Sequence, residues 1–440
     1  MSELRRELRL WDLVFLNIAA VASVRWVGAA AHAGPGSITL WLIAIVAFFL
    51  PAALVVASLS QRFPDEGGLY IWTKQAFGDW HAFLCAWLYF LSNLLFAPSL
   101  ALAGVAMSGF VWNTDPAQLA QNRVYSLTVT LLLLWTAYLS HLFGLNIGKW
   151  AGNIGGAATW GAAAILVAVA GWAVLHVGSV TKFHLLPEAN FDSLNIWSQI
   201  AFALVGLELG PILGGEIVNP RRNIPRAAWI SAAGSALFYI GGTAAVLVLM
   251  EPANVSQVTG IVQAGVAAGQ ILRWPAFSQL FALLIVLGTF GSLASWIAGN
   301  TRLPFVIGLD RYLPPAFARL HPRWATPHVS ILTQAIAATV LLAATQAGET
   351  VVAAYQILVD MTVLTTFLPY LYIFAAGWKF GQPVAAAFGL LISIAAIGLS
   401  IVPPPEVHSW PIFEAKVVGG CVALSGIGWV LFARYRPQSA

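Results

Sequence analysis

Two ionisable residues stand inside long apolar runs of this chain. Arg25 lies in Leu13–Ala33 and Glu208 in Ile196–Gly214. A charge at the centre of a bilayer costs about 2.5–3.5 kcal/mol on the insertion scale, so such a residue marks a polar site or a buried partner. A third acid, Asp360, follows Tyr355-Gln356 in another apolar run. The chemistry open to these groups is narrow. Arg25 can hold the carboxylate of a small molecule, pair with an internal acid such as Glu208 or Asp360, or reach outward to the membrane interface. Glu208 can prop a helix by accepting hydrogen bonds, or carry a proton. Asp360 can relay a proton, act in a gate, or bridge two helices.

The composition says what must surround these residues. The 440 residues are 59% hydrophobic and 9% charged, with a mean hydropathy of +0.81. A water-soluble chain carries about 25% charged residues, so this one lacks the polar surface to dissolve. Its 19 Trp suit anchoring at headgroup level. Cys85 and Cys421 both lie in apolar segments and read as buried thiols rather than a disulfide. There is no Gly-x-x-x-x-Gly-Lys-Ser/Thr run to cradle phosphates. No paired-His or Cys cluster has metal-ligand spacing, and no aromatic-interleaved basic patch suits nucleic acid. Nor is there a converging nucleophile and base, so the chain does not read as an enzyme.

A membrane span needs about 20 apolar residues. Twelve candidates follow: 13–33, 38–60, 80–112, 124–143, 152–176, 195–214, 227–250, 276–301, 328–346, 350–378, 383–402 and 413–433. The first is read as a retained span, not a cleaved leader. Val258–Leu272 reads as a short surface helix. With the N-terminus inside, inner segments hold sixteen of the 21 Lys and Arg and outer segments four. That bias predicts both termini in the cytoplasm, in a cell's inner or plasma membrane. The reading is a single transmembrane domain and an all-α fold.

Two of these spans are weak as continuous helices. The first contains Asn17, Ser23, Arg25, Gly28 and His32 and stops at Gly34-Pro35-Gly36. Local unwinding over Ala20–Arg25 would free backbone groups to bind a ligand, which is tolerated around a protein-lined cavity. The sixth is loosened by Gly206 and Gly210, and Pro211 removes a hydrogen bond. One reading is a Pro-kinked helix with a snorkelling or paired carboxylate. The other is a discontinuous helix at a binding site, because the same defect recurs in both halves of the chain.

Three segments carry a resemblance. The first is Phe63-Pro64-Asp65-Glu66-Gly67-Gly68-Leu69-Tyr70-Ile71-Trp72 with Ala76-Phe77-Gly78. The second is Phe202 through Gly206-Leu207-Glu208, continuing with Gly214-Gly215-Glu216 and Asn219-Pro220-Arg221-Arg222-Asn223-Ile224-Pro225-Arg226. The third is Gly291-Ser292-Leu293-Ala294-Ser295-Trp296 with Asp310, Leu313-Pro314 and Thr326-Pro327. In this order, at the ends of the right spans, they resemble the amino acid–polyamine–organocation superfamily of transporters.

The resemblance implies twelve helices in two inverted five-helix repeats, about 11–176 and 195–378, plus peripheral helices at about 383–433. It implies amino acid transport by alternating access, with helices 1 and 6 broken. The substrate would meet Ala20, Val21, Ala22, Ser23 and Arg25 on helix 1, and Phe202, Ala203, Leu204 and Gly206 on helix 6. Phe202 would be an aromatic gate, or ordinary core. Family members usually carry a Gly-Ser-Gly run at the first break. Here Ala20-Val21-Ala22 stands there, which is closer to the glutamate/GABA antiporter-like branch. The lysine that fills the sodium position in some proton-coupled members has Thr159 as its nearest match. Ser292 and Ser295 could instead coordinate sodium with helix 1 carbonyls, since such oxygens suit a hard cation. The expected coupling ion is sodium or a proton, with exchange also open and no other cofactor.

Further residues stay open. Glu216, Arg221, Arg222 and Arg226 form inner-gate ion pairs with Asp65 or Glu66, or follow the charge bias. His32, His141, His176 and His184 fall near span ends and read mostly as interfacial. The expected partners are a small-molecule substrate and the bilayer, with no nucleic acid, in a monomer or weak homo-oligomer. Two rival functions remain: a carrier of amines or organic acids on the same fold, and a membrane sensor that binds a ligand without transporting it.

Overall fold

A computed structural model of the chain describes residues 4–112, 119, 122–184, 186, 191–346, 351–400 and 410–436. The backbone is helical almost throughout. In order the helices are α1 (Leu10–Val21), α2 (Val24–His32), α3 (Ser37–Arg62), α4 (Leu69–Phe77), α5 (Asp79–Ser108), α6 (Arg123–Leu142), α7 (Leu145–His176), α8 (Phe191–Ala203) and α9 (Leu209–Ile212). They continue with α10 (Pro220–Leu249), α11 (Gly260–Ile271), α12 (Pro275–Asn300), α13 (Arg302–Leu309), α14 (His328–Gln346), α15 (Val351–Lys379), α16 (Pro383–Ser400) and α17 (Trp410–Tyr435). Among the described residues the β-type pairing is one parallel bridge, Leu8 with Ile217.

Local chemistry sets many of the ends. Pro opens α10, α12 and α16, where its missing N–H has no partner to lose. The Asn122 side chain accepts from the N–H groups of Val124 and Tyr125, 3.1 Å each, at the start of α6. Gly78, at φ 87°, ends α4 and admits the turn into α5.

Among the described residues ten helical stretches, one of them α1 with α2 and another α12 with α13, are long and apolar enough to cross a membrane. The expected sixth span is not one continuous helix, because α8 and α9 are separated, and the expected ninth span coincides with α14, His328–Gln346. Burial grades across the bundle. The apolar window of Leu10–His32 is 94% buried and that of Val417–Tyr435 17%, so the first span is central and α17 faces outward. Cys85 and Cys421 are buried free thiols.

α7 and α12 approach each other backbone to backbone. Gly155 and Gly291 face each other, and a Cβ on Gly155 would lie 2.2 Å from the Gly291 Cα. Thr159 reaches α12 in the same seam, beside Gly288. One expectation fails here. Val258–Leu272 is not a surface helix, because α11 buries Ile261, Val262, Ala264 and Ala268 against α2 and α12. Glycines allow the approach: Gly260 lies on Gly28, and Gly265 leaves room for the Phe281 ring.

Candidate functional site

The first span breaks at Ala22-Ser23, a shorter gap than the Ala20–Arg25 section expected from sequence. The α1 ladder ends with the Ala22 N–H on the Ile18 carbonyl at 2.7 Å, and Ser23 is extended before α2 begins at Val24. Arg25 therefore sits in the first turn of α2. The second break follows Ala203. Two tight turns, Leu204 N–H to Ala201 O and Val205 N–H to Phe202 O, end the ladder. Gly206 then takes φ 133°, which a side chain rarely adopts. α9 resumes for a single turn at Leu209. The two breaks touch, since a Cβ on Gly206 would lie 3.0 Å from Val21 Cγ2 and 3.5 Å from the Ala20 carbonyl carbon.

Side chains from other helices tie off the loosened backbone. Tyr239, on α10, accepts from the Ser23 N–H at 3.1 Å. Its hydroxyl lies 2.5 Å from the Val21 carbonyl and 2.9 Å from that of Ala203. A phenol has one proton to donate, so it serves these two carbonyls one at a time. Trp296 on α12 donates its indole N–H to the Ala20 carbonyl at 3.0 Å.

An aromatic box surrounds the junction. Phe202 meets Trp26 edge-on at 5.6 Å between centroids and Phe96 at 5.9 Å; Phe96 lies 5.0 Å from Trp296. Arg25 enters this box and is 1% exposed, so it does not reach outward to an interface. Its guanidinium carbon lies 4.3 Å from the Trp26 ring centre and 4.7 Å from that of Phe96, a cation–π placement. Its Nη1 is 3.5 Å from Ser99 Oγ.

Glu208 is fully buried and is taken by other groups. One carboxylate oxygen accepts from the Tyr89 hydroxyl at 2.5 Å. The other accepts from the Tyr370 hydroxyl and, at 3.1 Å, from the Gly206 N–H. No ion pair among the described residues joins it to Arg25, so that expected pairing is not formed. The carboxylate instead clamps α5 and α15 to the second break. The side chain of Asp360 lies outside the described residues.

Ser292 and Ser295 on α12 are buried, and neither hydroxyl has a hydrogen-bond partner among the described residues. Trp296, next to Ser295, holds the helix 1 carbonyl of Ala20. Neutral oxygens of this kind fit a hard monovalent cation. No group of three or more His, Cys, Asp or Glu that could hold a metal exists among the described residues. His141, in the last turn of α6, is buried, with Nε2 2.8 Å from the Ala294 carbonyl.

Near the N-terminus lies a second polar layer. The N–H groups of Glu7 and Leu8 donate to the Glu216 carbonyl at 2.9 and 3.0 Å, and Val218 N–H donates to Leu8 O at 2.9 Å. This strap joins the entry of α1 to the segment after α9. Glu216 pairs with Arg302 through two contacts of 3.2 and 3.3 Å, both residues buried. It does not pair with Arg221, Arg222 or Arg226, which are exposed. Glu66 accepts the Gly215 N–H at 2.7 Å. Burial first, and then the neighbouring Glu216, push the Glu66 carboxyl well above the usual carboxylate range; Arg302 and the Gly215 N–H oppose this.

Tyr89, Tyr239, Tyr370, Trp26, Phe96 and Arg302 were absent from the residues expected at these sites. For the tyrosines and Arg302 the one signal in the sequence is a hydroxyl or a charge within or beside an apolar run; Trp26 and Phe96 carry neither and look like ordinary core.

Comparison with known proteins gives the family and the fold. A sequence profile described as amino acid permease matches residues 8–422. An uncharacterised transporter of Legionella pneumophila is 27% identical, over 100% of this chain and 99% of its own length. A probable agmatine/putrescine antiporter of Lactococcus lactis is 25% identical over 72% of this chain and 68% of its own. The mouse (Mus musculus) Asc-type amino acid transporter 1 is 26% identical over 66% of this chain and 55% of its own. The crystal structure of MhsT in complex with L-phenylalanine shares the fold, with a TM-score of 0.63 at 12% identity over 98% of this chain and 100% of that one. These relatives are transporters, not enzymes, and this chain belongs to the amino acid permease family, within the amino acid–polyamine–organocation superfamily.

Proposed function

We propose that the chain is a secondary-active permease that moves amino acids or close derivatives across the membrane by alternating access. The observation that carries this reading is the contact between the two broken helices at Val21 and Gly206, inside a buried aromatic box. The first N–H groups of α2 have no intrahelical partner, and the positive end of its dipole attracts a carboxylate. The carbonyls that end α8 attract an ammonium. Ala20, Val21, Ala22, Ser23, Phe202, Ala203, Leu204 and Gly206 form this contact surface. Arg25, in the first turn of α2, adds a full positive charge to the end that already favours anions. That charge favours a substrate bearing a carboxylate and opposes a second positive group. Neutral or acidic amino acids therefore fit better than polyamines, and an organic acid is the runner-up.

Glu208 acts as the prop of the second break, and Asp360 lies on α15, the helix that also carries its partner Tyr370. Ser292 and Ser295 are the oxygens we assign to a coupling sodium ion. The twelve-span arrangement in two repeats, with both termini in the cytoplasm, completes the reading.

Uptake by proteoliposomes tests it. Saturable uptake of a neutral or acidic amino acid is expected, with loss when choline replaces sodium. A charge-assisted contact is worth about 1.5–3 kcal/mol, so Arg25→Ala should weaken affinity for that substrate roughly ten- to hundredfold. Specific ligand binding without uptake would overturn transport and leave a sensor.

A further inference from the structure

Three arginines gather where the strap meets the start of α10. Arg6, Arg221 and Arg222 line one open pocket of about 570 Å³, with Pro64, Asn219 and Pro220. All three are exposed, and none belongs to an ion pair among the described residues. Asp65, next to Pro64, is likewise in no such pair. The pocket therefore carries an unneutralised positive charge. Its walls also have a defined depth. Arg6 comes just before α1, Pro64 just after α3, and Arg221 and Arg222 lie in the first turn of α10. Each of those helices belongs to an apolar stretch long enough to cross a membrane, which would put the pocket at the level of lipid headgroups.

We propose that this pocket takes the phosphate of an acidic phospholipid, and that the bound headgroup fastens the N-terminal strap to α10. Guanidinium forks match phosphate oxygens in pairs. The N-terminal end of the long helix α10 adds a partial positive charge behind Arg221 and Arg222. The lipid bilayer is the nearest reservoir of phosphate at that depth. Arg6 belongs to the segment whose next residues, Glu7 and Leu8, hydrogen-bond to Glu216 and Val218. Arg221 and Arg222 come three and four residues after Val218. One phosphate held by both sides therefore closes a clasp across the strap. This inference does not depend on which substrate the chain carries.

A thermal-shift titration of the full purified chain in detergent tests it, using phosphatidylglycerol, phosphatidylcholine and inorganic phosphate as separate probes. Phosphatidylglycerol is expected to raise the melting temperature, and the other two are not. Each basic residue near an anionic lipid contributes roughly fivefold to affinity, so Arg6→Gln/Arg221→Gln/Arg222→Gln should weaken the response roughly a hundredfold. The corresponding triple Lys variant, which keeps the charge but not the paired contacts, should respond between the parent and the triple Gln variant. Arg434→Gln, exposed on α17, should respond as the parent does. If the triple variant does not fold, Arg222→Gln alone should show the fivefold loss. The proposal is overturned if the triple variant responds like the parent, if Arg434→Gln loses as much, or if inorganic phosphate gives the same shift, which would indicate a free-anion site.

Discussion

Tyr239 shows how much one atom does at the junction. Its hydroxyl accepts from the Ser23 N–H and faces the carbonyls of Val21 and Ala203, so it serves both breaks at once. Tyr239→Phe keeps the ring but leaves these buried backbone groups without their partner. Such a loss costs about 1–3 kcal/mol, and a matching fall in stability is expected in denaturant or thermal unfolding. An unchanged midpoint would mean that the backbone finds other partners. Glu208 was legible because a carboxylate in an apolar run has to be explained. Its partners Tyr89 and Tyr370 were not, because a tyrosine in an apolar helix looks like ordinary core. They come from 119 and 162 residues away in the chain, a distance that no local pattern spans. Arg25 was visible for the same reason as Glu208. Its stacking on Trp26 and Phe96 became clear only once α5 was placed beside α2.

The helices themselves followed from apolar runs and from their punctuation by Gly and Pro. The break in the sixth span was announced by Gly206, Gly210 and Pro211, although the helix ends earlier, at Ala203. The break in the first span carries no glycine, and its position at Ala22-Ser23 depends on Tyr239 and Trp296 holding the freed carbonyls. Packing between helices was much less legible. The Val258–Leu272 segment looked superficial, because a short apolar stretch does not say which neighbour covers it. The α7–α12 seam is the sharpest case. A Cβ on Gly291 would lie 2.3 Å from Gly155 Cα, with backbone on both sides and no flexible side chain to yield. Gly291→Ala should therefore force the helices apart and destabilise by about 1–3 kcal/mol. Gly161→Ala on the same α7 helix meets nothing within 4 Å, and it should be neutral or stabilising by helix propensity. Thermal unfolding of the two variants side by side reads the difference; equal melting temperatures would refute the seam.

Across the whole molecule, buried charge is kept to a few layers. Glu208 lies among tyrosines at the junction, and Glu216 pairs with Arg302 beneath the strap, beside a cavity of about 110 Å³ that Arg5, Glu7 and Arg323 also line. The charge bias of the loops was plain in the sequence, but Arg302 was counted among the loop charges and is instead sealed in an ion pair. Glu66 makes this layer sensitive to pH. Its carboxyl faces Glu216 and Arg302 and binds its proton more tightly in the folded chain than when exposed. A raised folded value means that its contribution to stability is complete below the ordinary carboxylate range, about 4.3, and is lost as pH rises through the folded value. Melting temperatures measured across acid to neutral pH should show this decline in the parent and a flatter profile in Glu66→Gln. Identical slopes would remove Glu66 from the account. The strap has one more consequence. Its three amide protons, on Glu7, Leu8 and Val218, are held by two carbonyls that belong to one another's segments. Parting of the two segments would expose all three to water together. Deuterium uptake at those three positions would thus act as a clock for the opening of this end of the protein, readable without any labelled cargo.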